Sequence, residues 1–295
     1  MLAIGAACKG RSFFPLRLAG IRRLMSISPH IGEVTAIVLA GDRGPQDPLL
    51  RAAGVACKAA LPVAGRPMLL RVLDALAMSA PVTGTIVCGS SSRLRGRLPE
   101  FEELLAAGKV CWLENETSPS LSAQVALRLL PEERVALVTT ADHALLTPTM
   151  IDQFCAGAIA TGCDVVAGVV RAELLAAAFP QSRRTVTHLR DVAFCGGNLF
   201  AFLTARGRRA AAFWRRVEQQ RKHPLKIVRV LGFGSVLRYL LGQLTLSQAL
   251  ARLSTLIDAR AGVVWMPTPE VAIDVDKFED WMLAEEIIAG RQGER

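Results

Sequence analysis

The sequence predicts an α/β protein, a three-layer α/β/α arrangement on a mostly parallel sheet with a helical insertion near the C-terminus. Three observations predict it. Short apolar runs rich in β-branched residues recur at 34–40, 85–89, 110–113, 134–140, 164–170 and 262–266, each of strand rather than helix length. Between them, stretches such as 67–79 and 150–161 place apolar residues at helical spacing. Strands that alternate with helices of this kind are joined by crossovers, so they run parallel and are covered on both faces. A chain of 295 residues, 51% of them hydrophobic, has material for one large domain with insertions, or two small ones, and a sizeable core.

The first run, Val34 to Ala40, reads as a buried strand. Gly41, Gly44, Pro45, Pro48 and Gly54 then break any regular period, which predicts a loop with Arg43 and Lys58 as cations at its two ends. A strand feeding a glycine-bearing loop with two cations suits a polyphosphate, because backbone N–H groups approach it closely and the cations neutralise its charge. Pro67 sits where a helix would start, and Met68, Leu69, Val72, Leu73 and Leu76 give that helix a buried face. The strand at 85–89 ends in Ser90, Ser91 and Ser92, and a basic, then acidic, surface segment follows over 93–103. After the strand at 110–113, Ser118 to Ser122 carry helix-start chemistry into a helix over 123–130. The run at 134–140 delivers Ala141, Asp142 and His143. Ligands of open α/β sheets sit outside the carboxyl ends of strands, so Asp142 is expected to face the same crevice as the loop. Thr147 is the better cap for the helix beginning near Pro148.

Residues 185–190 read as an edge strand leading to Gly196-Gly197-Asn198 between Phe194 and Phe200. That tripeptide suits close approach of backbone to a ligand, with the Asn amide as donor and acceptor, or a plain turn between two core strands. From Thr204 to Leu250, cations from Arg206 to Arg229 alternate with bulky apolar residues such as Phe213 and Trp214. Two readings stay open, a solvated helix packed on the core or a helix lying on an anionic membrane surface through 204–244. Late in the chain, Asp274 and Asp276 point to the same side if the backbone is extended. Asp276 also fits an N-cap with Glu279 as its capping-box partner, and the two roles are compatible.

Leu39-Ala40-Gly41 after a strand, then Arg43, Lys58 and Leu-Pro-Val-Ala-Gly-Arg-Pro-Met-Leu over 61–69, resemble the signature loop of a nucleotidyltransferase superfamily. Its members have a Rossmann-like, GT-A-type domain, MobA-like in its NTP-transferase form, and act on sugar-1-phosphates, polyol phosphates or molybdopterin. The resemblance spans 34–289 and implies a nucleotidyltransferase domain over 33–290 with a basic and apolar helical insertion at 204–260. Three places depart from the family pattern: Asp42 follows the Leu-Ala-Gly, Cys57 precedes Lys58 where a proline is usual, and Lys277-Phe278 stands where the late motif usually has Thr-Pro. The implied reaction transfers NMP from an NTP to a phosphorylated small-molecule acceptor and releases pyrophosphate. The resemblance implies that Lys58 and Arg43 carry catalysis, at the α-phosphate and the departing pyrophosphate. It also implies that Leu39, Ala40 and Gly41 meet the nucleotide and that Ser118, Ser122 and Gln124 lie against the base, although capping alone accounts for the serines. Asp142 and Asp276, with Asp274 in reserve, would hold Mg²⁺, and Gly197 and Asn198 would face the acceptor. Two other readings remain: a GT-A glycosyltransferase consuming an NDP-sugar, and a non-catalytic nucleotide-binding protein.

A formal charge of +9 favours anionic partners. Nucleic acid is not expected among them, since aromatics are few and no reader motif is present. Seven cysteines, an odd number without a Cys-x-x-Cys pair, argue against zinc and a disulfide framework and predict a reducing, cytoplasmic setting. Residues 1–32 contain no acid and several arginines, a composition a targeting segment also has, but without a continuous apolar run; with Met25 just ahead of the first strand they read as a mis-assigned start followed by a disordered extension. No run reaches the roughly 18 uninterrupted apolar residues of a spanning helix. A Rossmann dehydrogenase is disfavoured because no Gly-x-Gly-x-x-Gly follows the first strand.

Overall fold

In a computed structural model of the chain, residues 33–41, 44, 47–220 and 232–293 are described. The expected extension at 1–32, Arg43, and the cations from Arg221 to Arg229 lie outside them. The strands are β1 (Val34–Ala40), β2 (Pro62–Val63), β3 (Arg66–Pro67), β4 (Val82–Gly89), β5 (Cys111–Glu114), β6 (Val135–Thr140), β7 (Val165–Arg171), β8 (Thr187–His188), β9 (Ala193–Phe202) and β10 (Ala261–Trp265). The main sheet has the order β10-β7-β9-β6-β1-β4-β5, with β8 beside β9. β1 pairs in parallel with both β4 and β6 and is buried along its whole length. It is therefore central, as a continuous apolar run requires.

Alternation along β1 divides the interior into two. Val34, Ala36 and Val38 join one core, which includes Met68, Leu69, Val72 and Leu76 of the helix Met68–Ala77. Ile37 and Leu39 point the other way, onto Ala123, Ala126 and Leu127 of the helix Pro119–Arg128. Helices thus cover both faces, and the carboxyl ends of β1 and β6 are left to carry the site. The six described cysteines are all free. Burial pushes the thiols of Cys88 and Cys155 up to about 12, so they behave as small apolar groups.

Several expectations are corrected. The stretch after β1 is not wholly loop: Pro48–Ala53 forms a short helix, capped by the Asp47 side chain at one end and ended by Gly54 at φ 67. The helix expected from 123 starts at Pro119, a proline tolerated in the first turn. The edge strand at 185–190 shrinks to Thr187–His188. Gly196-Gly197-Asn198 is no turn; it lies inside β9, which runs antiparallel between β6 and β7. A register shift opposite Ala167–Val169 and a φ of 48 at Asn198 make it a bulge. Ile273–Asp276 leave a 3₁₀ turn, Pro269–Ala272, with Ile273 extended, and Asp274 and Asp276 reach one cluster as expected. Glu279 is not the capping partner: the Asp280 carboxylate accepts the Asp276 and Lys277 N–H groups, each at 3.0 Å. Within 204–260 the described helices are Arg209–Gln220, Phe233–Leu240 and Leu246–Ile257.

Candidate active site

Lys58 opens a 3₁₀ turn, Lys58–Ala60, whose neighbours Cys57, Ala59 and Leu61 are buried. The turn leaves the lysine side chain nowhere to go but the end of the sheet, and the residue is only 8% exposed. Asp142 arrives two residues after β6. The Ala141 N–H donates to the Leu39 carbonyl at 3.0 Å, which continues the pairing with β1 and sets Asp142 beside that strand's end. The third segment docks directly on the second, the Val275 N–H donating to the Asp142 carbonyl at 3.0 Å.

Lys58 Nζ donates to Asp142 Oδ2 at 2.6 Å and also to Asp276 Oδ1. Partners 84 and 218 positions away are thereby brought to one ammonium. Burial pulls the Lys58 pKa down, but the two carboxylates outweigh it and hold the ammonium above its ordinary value. Leu39, Gly41, Lys58, Ala59, Ala141 and Asp142 line a small cleft beside this pair.

Asp274 belongs to the same cluster but faces other partners. Arg184 donates from Nη1 to the Asp274 carboxylate, and from Nη2 to its carbonyl at 2.7 Å and to Asp280 Oδ1 at 2.9 Å. Asn198 Nδ2 donates to Asp274 Oδ2 at 3.1 Å. Burial and then the Asp142 charge push the Asp274 carboxyl above its usual range, with Arg184 opposing them. His143 is fully buried, its Nδ1 3.5 Å from Thr139 Oγ1, and burial lowers its pKa to about 4 against the pull of Asp142. It stays neutral at physiological pH.

The donor set can be tested for a metal. Oxygens of Asp142, Asp274 and Asp276 lie within 4.8 Å of one another. Asp142 Oδ1 is buried with no hydrogen-bond partner among the described residues. Oxygen-only ligands, one of them unspent, fit a hard divalent cation. Lys58 neutralises two of the three acids, so a metal there would displace its ammonium.

The remaining expected residues lie as follows. Ser118 accepts the Leu121 N–H at 3.3 Å as a helix cap, and Ser122 Oγ accepts from Glu116 N at 2.8 Å and donates to the Ser118 carbonyl at 3.1 Å. Both hydroxyls are engaged by their own segment. Gln124 is buried, and its Oε1 has no partner among the described residues. Gly197 is packed against the turn beneath it, where a Cβ would come within 2.5 Å of Val271 Cγ1. Arg184 and Asp280 were not singled out from the sequence. The available signal was charge balance, because three neighbouring aspartates against one lysine require a second cation nearby.

The mostly parallel sheet, with β1 and β6 ending beside a lysine held by two acids, makes this an α/β protein with a charged cluster at the carboxyl edge of its strands. The chain belongs to the MobA-like NTP transferase domain family, which it matches over residues 36–258, and is a nucleotidyltransferase. A hypothetical transferase from Thermus thermophilus is 31% identical, with a TM-score of 0.70 over 84% of this chain and 99% of its own. CMP:2-keto-3-deoxy-manno-octonic acid synthetase, solved with CTP, is similar at 12% identity and a TM-score of 0.53, covering 88% of this chain and 99% of its own. The 2-C-methyl-D-erythritol 4-phosphate cytidylyltransferase of Thermus thermophilus has 15% identity and a TM-score of 0.51, covering 87% and 99%. These two likenesses are of fold. No curated protein sequence matches the chain significantly.

Proposed function

We propose that the chain transfers a nucleoside monophosphate from an NTP to a phosphorylated small-molecule acceptor with release of pyrophosphate. The observation that carries this reading is the clasp of Lys58 by Asp142 and Asp276 at the carboxyl edge of β1 and β6. An acceptor phosphate oxygen attacks the α-phosphorus, a new P–O bond forms there, the bond to the β-phosphate oxygen breaks, and pyrophosphate leaves. The nucleophile is anionic at neutral pH, so no general base is required. That agrees with a neutral, buried His143 that takes no proton.

Asp142 and Asp276 would hold Mg²⁺, with Asp274 kept beside them by Arg184 and Asn198. When bound, Mg²⁺ supplies charge neutralisation at the phosphate oxygens. Lys58, released from its carboxylates, places its ammonium on the α-phosphate, where negative charge grows. Leu39, Ala40 and Gly41 offer backbone to the phosphates, and Gln124 offers its unspent amide oxygen to the base. Arg43 takes the pyrophosphate side. Asn198 orients the acceptor while anchoring Asp274, and Gly197 keeps that bulge packed on Val271.

The test is a matrix of four NTPs against sugar-1-phosphates, polyol phosphates and molybdopterin-type acceptors, read by pyrophosphate release. At least one pair is expected to turn over. Nucleoside diphosphate released from an NDP-sugar in place of pyrophosphate would overturn the reading in favour of glycosyl transfer.

A further inference from the structure

The helix Phe233–Leu240 is apolar in composition yet contains no buried residue. Phe233, Leu237, Leu240 and Leu241 follow the i, i+4, i+7, i+8 spacing of a single helix face. They are exposed to 71%, 42%, 74% and 60%. With Tyr239 they account for five of the nine large hydrophobic side chains exposed among the described residues. Single exposed apolar residues are ordinary, whereas a contiguous face of this kind marks an interaction surface.

Charge selects the occupant. From 219 to 257 the chain carries Arg221, Lys222, Lys226, Arg229, Arg238 and Arg252 and no acid at all. Of the described cations, Arg238 is exposed on the same helix, and the Arg252 guanidinium lies against Gly232 at its start. Asp191, which accepts the Leu246 N–H at 3.0 Å, is an acid held at the start of the next helix, Leu246–Ile257. An apolar face with Arg238 on its helix and Arg252 at its start, in a stretch of sequence that carries cations and no acid, complements a layer with an apolar interior and anionic headgroups, whereas a second copy of the same face would bring like charges together.

We propose that this helix docks the enzyme on an anionic phospholipid surface, Phe233, Leu237, Leu240 and Leu241 entering the acyl boundary with Arg238 at headgroup level. The docking is reversible and peripheral, since no helix among the described residues is long and apolar enough to cross a membrane. It is independent of the nucleotidyl-transfer reading, because it is measured without NTP or acceptor.

The experiment is flotation of the full chain with phosphatidylglycerol vesicles and with phosphatidylcholine vesicles. Binding to the first, weak binding to the second and loss of binding at high salt are expected. Phe233→Ser with Leu240→Ser should weaken partitioning at least about tenfold, given the apolar area withdrawn. Circular dichroism and melting temperature should stay unchanged, since both side chains are exposed. Arg238→Glu, which leaves the apolar face intact, should weaken binding to phosphatidylglycerol alone. No binding, equal binding to both lipids, or binding unaltered by the double variant would overturn the proposal. So would a wild-type dimer in light scattering that the double variant dissolves.

Discussion

Lys58→Met keeps the stem of the side chain and removes the ammonium between Asp142 and Asp276. Three carboxylates whose oxygens approach within 4.8 Å then face one another without it. Removing one partner of a buried ion pair costs about 3–5 kcal/mol. The Asp142 and Asp276 side chains are 19% and 31% exposed, so water screens part of the cost and about 2–3 kcal/mol remains. At roughly 2–4 °C per kcal/mol for a domain of this size, the melting temperature in EDTA should fall by about 4–12 °C. Millimolar Mg²⁺ should recover much of that fall in the variant and change the wild type less, because a divalent cation replaces the missing charge. Pyrophosphate release should drop by about 10²- to 10³-fold, the loss expected for one oriented electrostatic contact. Scanning fluorimetry in EDTA and in Mg²⁺, beside a coupled pyrophosphate assay, measures all three. A variant that melts like the wild type in EDTA, or turns over at a wild-type rate, would refute the reasoning.

Arg184→Ala strips the carboxylates of Asp274 and Asp280 of their shared partner and should cost about 2–4 kcal/mol in urea unfolding. Arg184→Lys should recover only part of this, since one ammonium cannot reproduce the fork; full recovery would show that charge alone suffices. Gly197→Ala drives a Cβ into Val271 and should destabilise by about 1–3 kcal/mol, read as a lower denaturant midpoint. His143 contributes to acid sensitivity. Its folded pKa of about 4 lies below the ordinary 6.5, so its contribution to stability is complete above 6.5 and lost as pH falls through about 4. That window corresponds to on the order of 3 kcal/mol, and His143→Phe should flatten the stability profile between those values. An unchanged slope would count against a buried neutral imidazole.

Much of the scaffold is legible because its signals are local. Val34 to Ala40 and Val135 to Thr140 are apolar runs that need no partner to be recognised, and the rule placing ligands at strand ends puts Asp142 beside β1 without coordinates. What is not legible depends on distant partners. Nothing near 193–202 says that this segment inserts antiparallel between β6 and β7, so a turn stays open beside ligand approach as a reading of its glycines. Asp274 and Asp276 are equivalent on an extended chain. They are separated only by Arg184, 90 positions away from Asp274, and by Lys58, 218 positions away from Asp276. Glu279 and Asp280 differ as caps by one position, a difference set by where the preceding 3₁₀ turn releases the chain.

Asp142 and Asp276 act as a pair in this account, so the most direct test changes each carboxylate to its amide without changing its shape. With the acceptor identified from the substrate matrix, Asp142→Asn and Asp276→Asn should each lower pyrophosphate release by at least about 10²-fold while far-UV circular dichroism stays native. Wild-type turnover in either variant would contradict the account.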